Sequence, residues 1–167
     1  MFVLDASTLI LITRAEFLGP FLADVKLEVA IPGEVARECC AGKKTMDALI
    51  IQKTLDESRI KVILVKNRKL VAKLETDFSL GQGEAEAIAL AQKERARIVG
   101  IDDKNGVNAC KLLGIAFTTA VGILLRSREK GLLDRSAALA GLAALAKYGR
   151  YKNSIIEDAR LKLEVPE

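Results

Sequence analysis

Short apolar runs separated by longer stretches of helical periodicity set the rhythm of this chain. Runs at 2–5, 26–31, 60–65, 97–101 and 115–118 have strand length and are built from Val, Ile, Leu and Phe. Between them the spacing predicts helices near 7–18, 33–40, 44–57, 67–75, 83–94 and 104–113. A helical tail over about 120–167 carries helices near 120–130, 134–147 and 152–163. Strands alternating with helices in this way mark an α/β protein with a parallel sheet. Local signals agree with the boundaries. Pro32 follows a strand and suits the first turn of a helix, where its missing N–H is no loss, and Gly114 and Gly131 stand where helices should stop. The stretch Thr76–Gly83, with two glycines beside a helix start, reads as the clearest loop. No repeat, low-complexity tract or shift of composition divides the chain, so residues 1–167 are expected to form one domain.

Composition narrows the chemistry more than the fold. With 50% hydrophobic residues and only 4% aromatic ones, the core must be aliphatic. The formal charge is +4 and the pI near 9.0, mildly favourable for a polyanionic partner but equally a common setting for solubility. The chain has no histidine, which removes imidazole acid–base catalysis, imidazole metal ligands and Ser-His-Asp triads together. Cys39, Cys40 and Cys110 form no C-x-x-C pair, which with no histidine argues against a zinc site, and adjacent Cys39 and Cys40 read as small helical core residues of a reducing compartment. The first residues form a strand-like run without a basic flank, and no apolar run is long enough for a bilayer. The expectation is a cytoplasmic protein with no membrane partner.

What remains for chemistry is carboxylate. Asp5 closes the first apolar run and Asp102-Asp103 close the fourth, each at the carboxyl end of an expected strand, where open α/β sheets place their ligands. Asp5 could equally cap the helix that follows, with Ser7 or Thr8 as caps or as hydrogen-bond partners in a metal site. The adjacent pair repel each other unless a cation or water relieves them. Glu34 lies in the first turn of its helix, where the dipole accounts for it, but Glu38 lies a turn later and is the better candidate. The helix from 83 is apolar nearly all round. Glu84 shares a face with Ile88 and Glu86 with Leu90, so periodicity does not choose between these two glutamates. Glu84 is nearer the helix start and the glycine loop. Oxygen donors gathered at one sheet edge suit a hard divalent cation such as Mg²⁺.

Four segments together resemble the PIN-domain family of Mg²⁺- or Mn²⁺-dependent nucleases, and in particular its VapC-like toxins. They are Val3-Leu4-Asp5-Ala6-Ser7, Ile31-Pro32 leading to Val35 and Glu38, Leu80-Gly81-Gln82-Gly83-Glu84-Ala85-Glu86 with the alanine-rich turns that follow, and Ile98-Val99-Gly100-Ile101-Asp102-Asp103. The resemblance spans nearly the whole chain, and its most specific part is the glycine–glutamate block followed by the double aspartate. It implies a three-layer α/β/α fold with a parallel sheet of about five strands and an acidic pocket at the strand ends. It also implies RNA as substrate, a homodimer and, for a toxin, a cognate antitoxin protein. Carried over by residue, the family's acids fall on Asp5, Glu38, Glu84 and Asp103, with Asp102 beside them as a further metal ligand and Ser7 as the supporting hydroxyl. Two departures are visible. Val107 stands where relatives often carry arginine, and Thr119-Ala120 stands where many have Gly-Thr.

An acidic pocket repels phosphate, so a nucleic acid must be drawn in by basic surface around it. Arg59, Lys61, Lys66, Arg68, Lys69 and Lys73 form one cluster, and Arg126, Arg128, Lys130 and Arg135 another. Lys147, Arg150 and Lys152 surround Tyr148 and Tyr151, which could stack on unpaired bases or simply anchor the tail. Competing readings fare less well. A haloacid-dehalogenase-type phosphotransferase needs an acid two residues after Asp5, where Ser7 stands. A receiver domain carries its acidic pair near the first strand, not at 102–103. The remaining rival is a non-catalytic PIN-like module that binds nucleic acid or protein.

Overall fold

Alternation along the first strand defines the two faces of the sheet. The computed structural model describes residues 1–164. In it β1 (Phe2–Leu4) sends Phe2 and Leu4 to one side and Val3 to the other, as the period of two requires. Four further strands pair with it, all in parallel: β2 (Val29–Pro32), β3 (Lys61–Ile63), β4 (Ile98–Gly100) and β5 (Phe117–Thr118), in the order β3-β2-β1-β4-β5. The order reverses between β1 and β4, so right-handed crossovers lay successive helices on opposite faces.

One face carries α1 (Ala6–Arg14), α2 (Leu18–Asp24), α3 (Gly33–Cys40) and α4 (Met46–Asp56). Its core joins Phe2, Leu4, Val29 and Ile31 to Leu9, Ile12 and Phe17. The other face carries α5 (Arg68–Phe78), α6 (Gln82–Lys93) and α7 (Lys104–Leu113). There Val3, Val99 and Ile101 pack on Ile88, Leu90 and Ala109. Each Leu or Ile side chain so enclosed contributes roughly 1.5–3 kcal/mol relative to its exposed state. The expected tail forms α8 (Ala120–Glu129), α9 (Arg135–Tyr148) and α10 (Asn153–Glu164). All three join the first face, adding Leu124, Leu142, Leu145, Ile156 and Leu163 to its core. The result is the expected three-layer α/β/α arrangement around a five-stranded parallel sheet. Positions 165–167 of the expected tail lie outside the described residues.

Two local expectations are corrected. The helix read over 7–18 stops at Arg14, and a second helix that the spacing did not mark, α2, follows at 110° to it, with Glu16 in the left-handed region between them (φ 62°). The bend turns Phe17 and Phe21 into the core of the first face, and Pro20 falls in the opening turn of α2, where a proline is tolerated. The loop read over Thr76–Gly83 shrinks to 79–81, because α5 continues to Phe78, which packs against the second core. Gly114 and Gly131 do take left-handed conformations (φ 67° and 70°) where α7 and α8 stop. No single helix among the described residues is long and apolar enough to cross a membrane.

Candidate functional site

The crevice at the carboxyl ends of β1 and β4, where the strand order reverses, is where open α/β sheets bind ligands. Asp5 stands at its centre. Its N–H donates to Gly100 O at 3.0 Å, extending the pairing of β1 with β4 by one residue. The side chain is fully enclosed and its two oxygens differ. Oδ1 accepts the Thr8 N–H at 2.7 Å and caps α1, whereas Oδ2 is buried with no hydrogen-bond partner. Burial pushes the Asp5 carboxyl up to about 8, against the hydrogen bonding of Thr8 and with the charges of Asp102 and Glu84 adding to the rise. The capping and functional readings of Asp5 are therefore compatible, one on each oxygen.

Asp102 is the most heavily partnered acid. Its Oδ2 accepts from Thr8 Oγ1 at 2.7 Å and from Ala120 N at 2.9 Å, and its Oδ1 accepts from Ala120 N at 3.2 Å and from the Tyr151 hydroxyl. Burial raises its pKa, and these donors oppose the rise. Thr8 thus bridges the two strand ends, with its N–H on Asp5 and its O–H on Asp102. Asp103 caps α7, its Oδ1 accepting from Asn105 N at 2.7 Å and Gly106 N at 3.3 Å.

The remaining acids come from two helices that pack against each other, α3 and α6. Glu84 sits in the first turn of α6 and its Oε2 accepts the Gly81 N–H at 3.0 Å. This is half of a capping box, since Gly81 has no side chain to complete it. Glu38 of α3 lies over Gly83, where a Cβ would stand only 2.5 Å from Glu38 Oε1. The glycine makes room for the carboxylate at a helix N-terminus, a favourable place for negative charge. Burial raises the pKa of Glu38, with Glu34 adding and the Gly83 N–H opposing. Burial also raises Glu84, with Asp103 and Glu38 adding. Glu86 is directed elsewhere: it accepts the Glu34 N–H at 3.2 Å and pairs with Arg68, tying α6 to α3 and α5. Ser7 is exposed in the first turn of α1, two residues from Asp5.

The structure thus brings Asp5, Asp102, Glu84, Asp103 and Glu38 into one electrostatic neighbourhood, in which Asp5 feels Asp102 and Glu84, and Glu84 feels Asp103 and Glu38. Among the described residues, however, no three of the acidic or cysteine side chains are already arranged to hold a metal ion. The donor set still fits a hard divalent cation. It is all oxygen, it is mutually repulsive, and it contains one enclosed oxygen without a donor. A cavity of about 430 Å³ elsewhere, between α2 and α8, is lined by Phe2, Phe21, Ile98 and Ile123 and touches none of these acids.

Thr8 and Tyr151 are the contributors to this site that sequence reasoning used least well. The spacing allows Thr8 as a cap or as a hydroxyl partner in a metal site, whereas Asp5 is the cap of α1 and Thr8 supplies the N–H it accepts. Tyr151 gave no signal for its place, and instead of offering a ring to a base it turns its hydroxyl inward. The face of Tyr148 is taken by Arg14 and Lys147, at 5.3 and 5.1 Å from the ring centroid. The basic clusters are partly paired: Lys61 with Glu28 (3.0 Å), Lys73 with Asp77 (2.7 Å), Arg126 with Glu129 (3.0 Å), and Lys130 with Asp24. Arg59, Lys66 and Lys69 are exposed beside β3 and α5. All three cysteines are free of disulfides, and burial raises Cys39 to about 12 and Cys110 to about 11, which makes both poor nucleophiles.

A family model described as a PIN domain matches residues 1–163. Comparison with curated proteins and with solved structures returns no match.

Proposed function

Because the chain belongs to the PIN-domain family, a family of nucleases, we propose that it is a divalent-metal-dependent endoribonuclease that hydrolyses RNA phosphodiester bonds. The observation that carries the metal dependence is the buried, unpartnered Oδ2 of Asp5 amid other acids at the strand switch point. A buried acceptor of this kind costs free energy unless a donor or a cation satisfies it. In this reading Asp5, Glu38, Glu84 and Asp103 hold Mg²⁺ or Mn²⁺ directly or through water, Asp102 supports them from behind, and Ser7 adds a hydroxyl at the rim. Bound there, the ion would act as a Lewis acid on a phosphoryl oxygen and activate water for in-line attack.

The chain's own groups then have separable tasks. Thr8 fixes Asp5, so that its free oxygen is not spent on the helix cap. Gly83 keeps the Glu38 carboxylate at the start of α6. The exposed cations Lys66 and Lys69, which follow the carboxyl end of β3, offset the repulsion between an acidic pocket and a polyanion, which makes substrate binding sensitive to salt. The same reading makes the chain the toxin of a toxin–antitoxin pair and a homodimer, with a cognate antitoxin that covers the acids and sends an Arg or Lys among them.

A specific observation favours a second reading, a non-catalytic PIN-like binding module. Asp102, Asp103 and Glu84 are each engaged in hydrogen bonds that stabilise local structure, and among the described residues no three acids stand ready for a metal. Cleavage of a panel of single-stranded and structured RNAs in Mg²⁺ or Mn²⁺ separates the two. Wild type should cleave only with metal, and Asp5→Asn and Asp103→Asn should each lose roughly 100-fold or more, equivalent to about 2.7 kcal/mol of transition-state stabilisation. Folded wild type that neither cleaves nor binds a divalent ion would establish the binding module instead.

A further inference from the structure

We propose that Tyr151 is a positioning residue of the acidic site, acting through Asp102 and Thr8 to present Asp5 to a divalent cation. The inference rests on the metal-dependent reading above. Three hydrogen bonds run in series from the tail to the first strand. The Tyr151 hydroxyl donates to Asp102 Oδ1, Thr8 Oγ1 donates to Asp102 Oδ2 at 2.7 Å, and Thr8 N donates to Asp5 Oδ1 at 2.7 Å. The series ends on Asp5, the one carboxylate among the described residues with an enclosed and unpartnered oxygen.

Each link constrains the next. Asp102 receives donors from three separate segments: α1 through Thr8, the start of α8 through Ala120, and the turn between α9 and α10 through Tyr151. A carboxylate held from three sides cannot rotate, so the hydroxyl of Thr8 has one acceptor in one direction. Through that hydroxyl Asp102 ties the first turn of α1 to the end of β4, and the same turn places the Thr8 N–H on Oδ1 of Asp5, which leaves Oδ2 for a ligand. The turn is shaped around the tyrosine ring. A Cβ at Gly149 would lie 2.7 Å from Tyr151 Cδ2 and 2.8 Å from Leu145 O, so only glycine lets the chain fold back and aim the hydroxyl inward. A hydrophobic anchor for the tail would need the ring but not the hydroxyl; it is the hydroxyl that reaches the acids.

Groups that orient a metal-binding carboxylate from behind typically change metal affinity by roughly 10- to 100-fold when removed. The experiment is calorimetric titration of the full chain with Mn²⁺, in wild type, Tyr151→Phe, Thr8→Val and the exposed control Tyr148→Phe, with the metal-free Tm of each. Tyr151→Phe should weaken Mn²⁺ binding by roughly 10- to 100-fold, and Tyr148→Phe should bind as wild type does. The double variant Tyr151→Phe/Thr8→Val should lose little more than the worse single one, since both act along one path. Wild-type Mn²⁺ affinity in Tyr151→Phe, with only the Tm lowered, would reduce Tyr151 to a structural tie and overturn the inference while leaving the nuclease reading standing. Should Tyr151→Phe not fold, Thr8→Val cuts the same series at its middle, and wild-type affinity there overturns the inference equally. Wild type that binds no Mn²⁺ would overturn the metal-dependent reading itself, and this inference with it.

Discussion

Asp5 binds its proton more tightly in the folded chain than in the unfolded one, because burial lifts its carboxyl from 3.8 to about 8. Across that window the folded state holds a proton that the unfolded state has released. Its contribution to stability is complete below about 4 and falls away as the pH rises toward 8. Glu38, Glu84 and Asp102 are shifted in the same direction, chiefly by burial. Glu34 runs the other way: its bonds to Arg37 lower its pKa, so its contribution is lost only on further acidification, as the pH falls through its folded value from 4.5. The metal-free protein should therefore melt at a higher temperature at pH 5 than at pH 8, as read by thermal circular dichroism. Each kcal/mol corresponds to roughly 2–4 °C for a chain of this size. Asp5→Asn should flatten that slope and raise the Tm at pH 8, since it removes the charge that burial disfavours. A wild-type Tm that does not change between pH 5 and 8 would mean that Asp5 is solvated or already paired in solution. A stabilised but inactive Asp5→Asn is the signature of a residue kept for function at a cost to the fold.

The packing of α3 on α6 joins two acids through a missing side chain. Glu38 occupies the space over Gly83, so Gly83→Ala leaves the helix intact but puts a methyl group against the carboxylate. Alanine favours a helix interior over glycine by roughly 0.5–1 kcal/mol, and the end of a flexible glutamate can move aside. The Tm of Gly83→Ala should thus stay within a few degrees of wild type. Metal-dependent cleavage should fall by about tenfold, equivalent to about 1.4 kcal/mol, with Gly81→Ala as the milder comparison. Equal losses in both variants would assign the effect to the loop and not to Glu38. At this scale the sequence was informative where a signal is periodic and local. The strands, most helices, the capping place of Asp5 and the candidacy of Glu38 and Glu84 all follow from spacing along the chain. What spacing did not reveal was decided by partners distant in sequence. Glu86 is separated from Glu84 only because Arg68 and the Glu34 N–H stand opposite it. The bend between α1 and α2 follows from burying Phe17, and nothing near Tyr151 announces an acceptor at Asp102.

Across the whole molecule, the question is whether the tail is an appendage or part of the cooperative unit. The first-face core mixes Leu4 and Ile31 of the sheet with Leu142, Leu145, Ile156 and Leu163 of α9 and α10. Two donors on Asp102, Ala120 N and the Tyr151 hydroxyl, also come from the tail. An independently opening tail would release the acidic site before the sheet melted. The chain offers a convenient probe, because it has no tryptophan and only two tyrosines, at 148 and 151. Tyrosine fluorescence therefore reports the α9–α10 corner, while far-ultraviolet circular dichroism reports helices throughout. In urea the two signals should trace one transition with a common midpoint, as a single cooperative unit requires, with a slope of roughly 1–3 kcal/mol per molar. Leu145→Ala, at a fully buried position of α9, should cost about 2–5 kcal/mol and move both midpoints together. A tyrosine transition at lower urea than the dichroism would show the tail opening alone. Removing the Asp102 hydrogen bond with Tyr151→Phe should then shift the dichroism midpoint little, while still loosening the site. Coincident transitions instead mean that the tail is held by the same core that aligns β1 with β4, so the geometry around Asp5 persists as long as the sheet does.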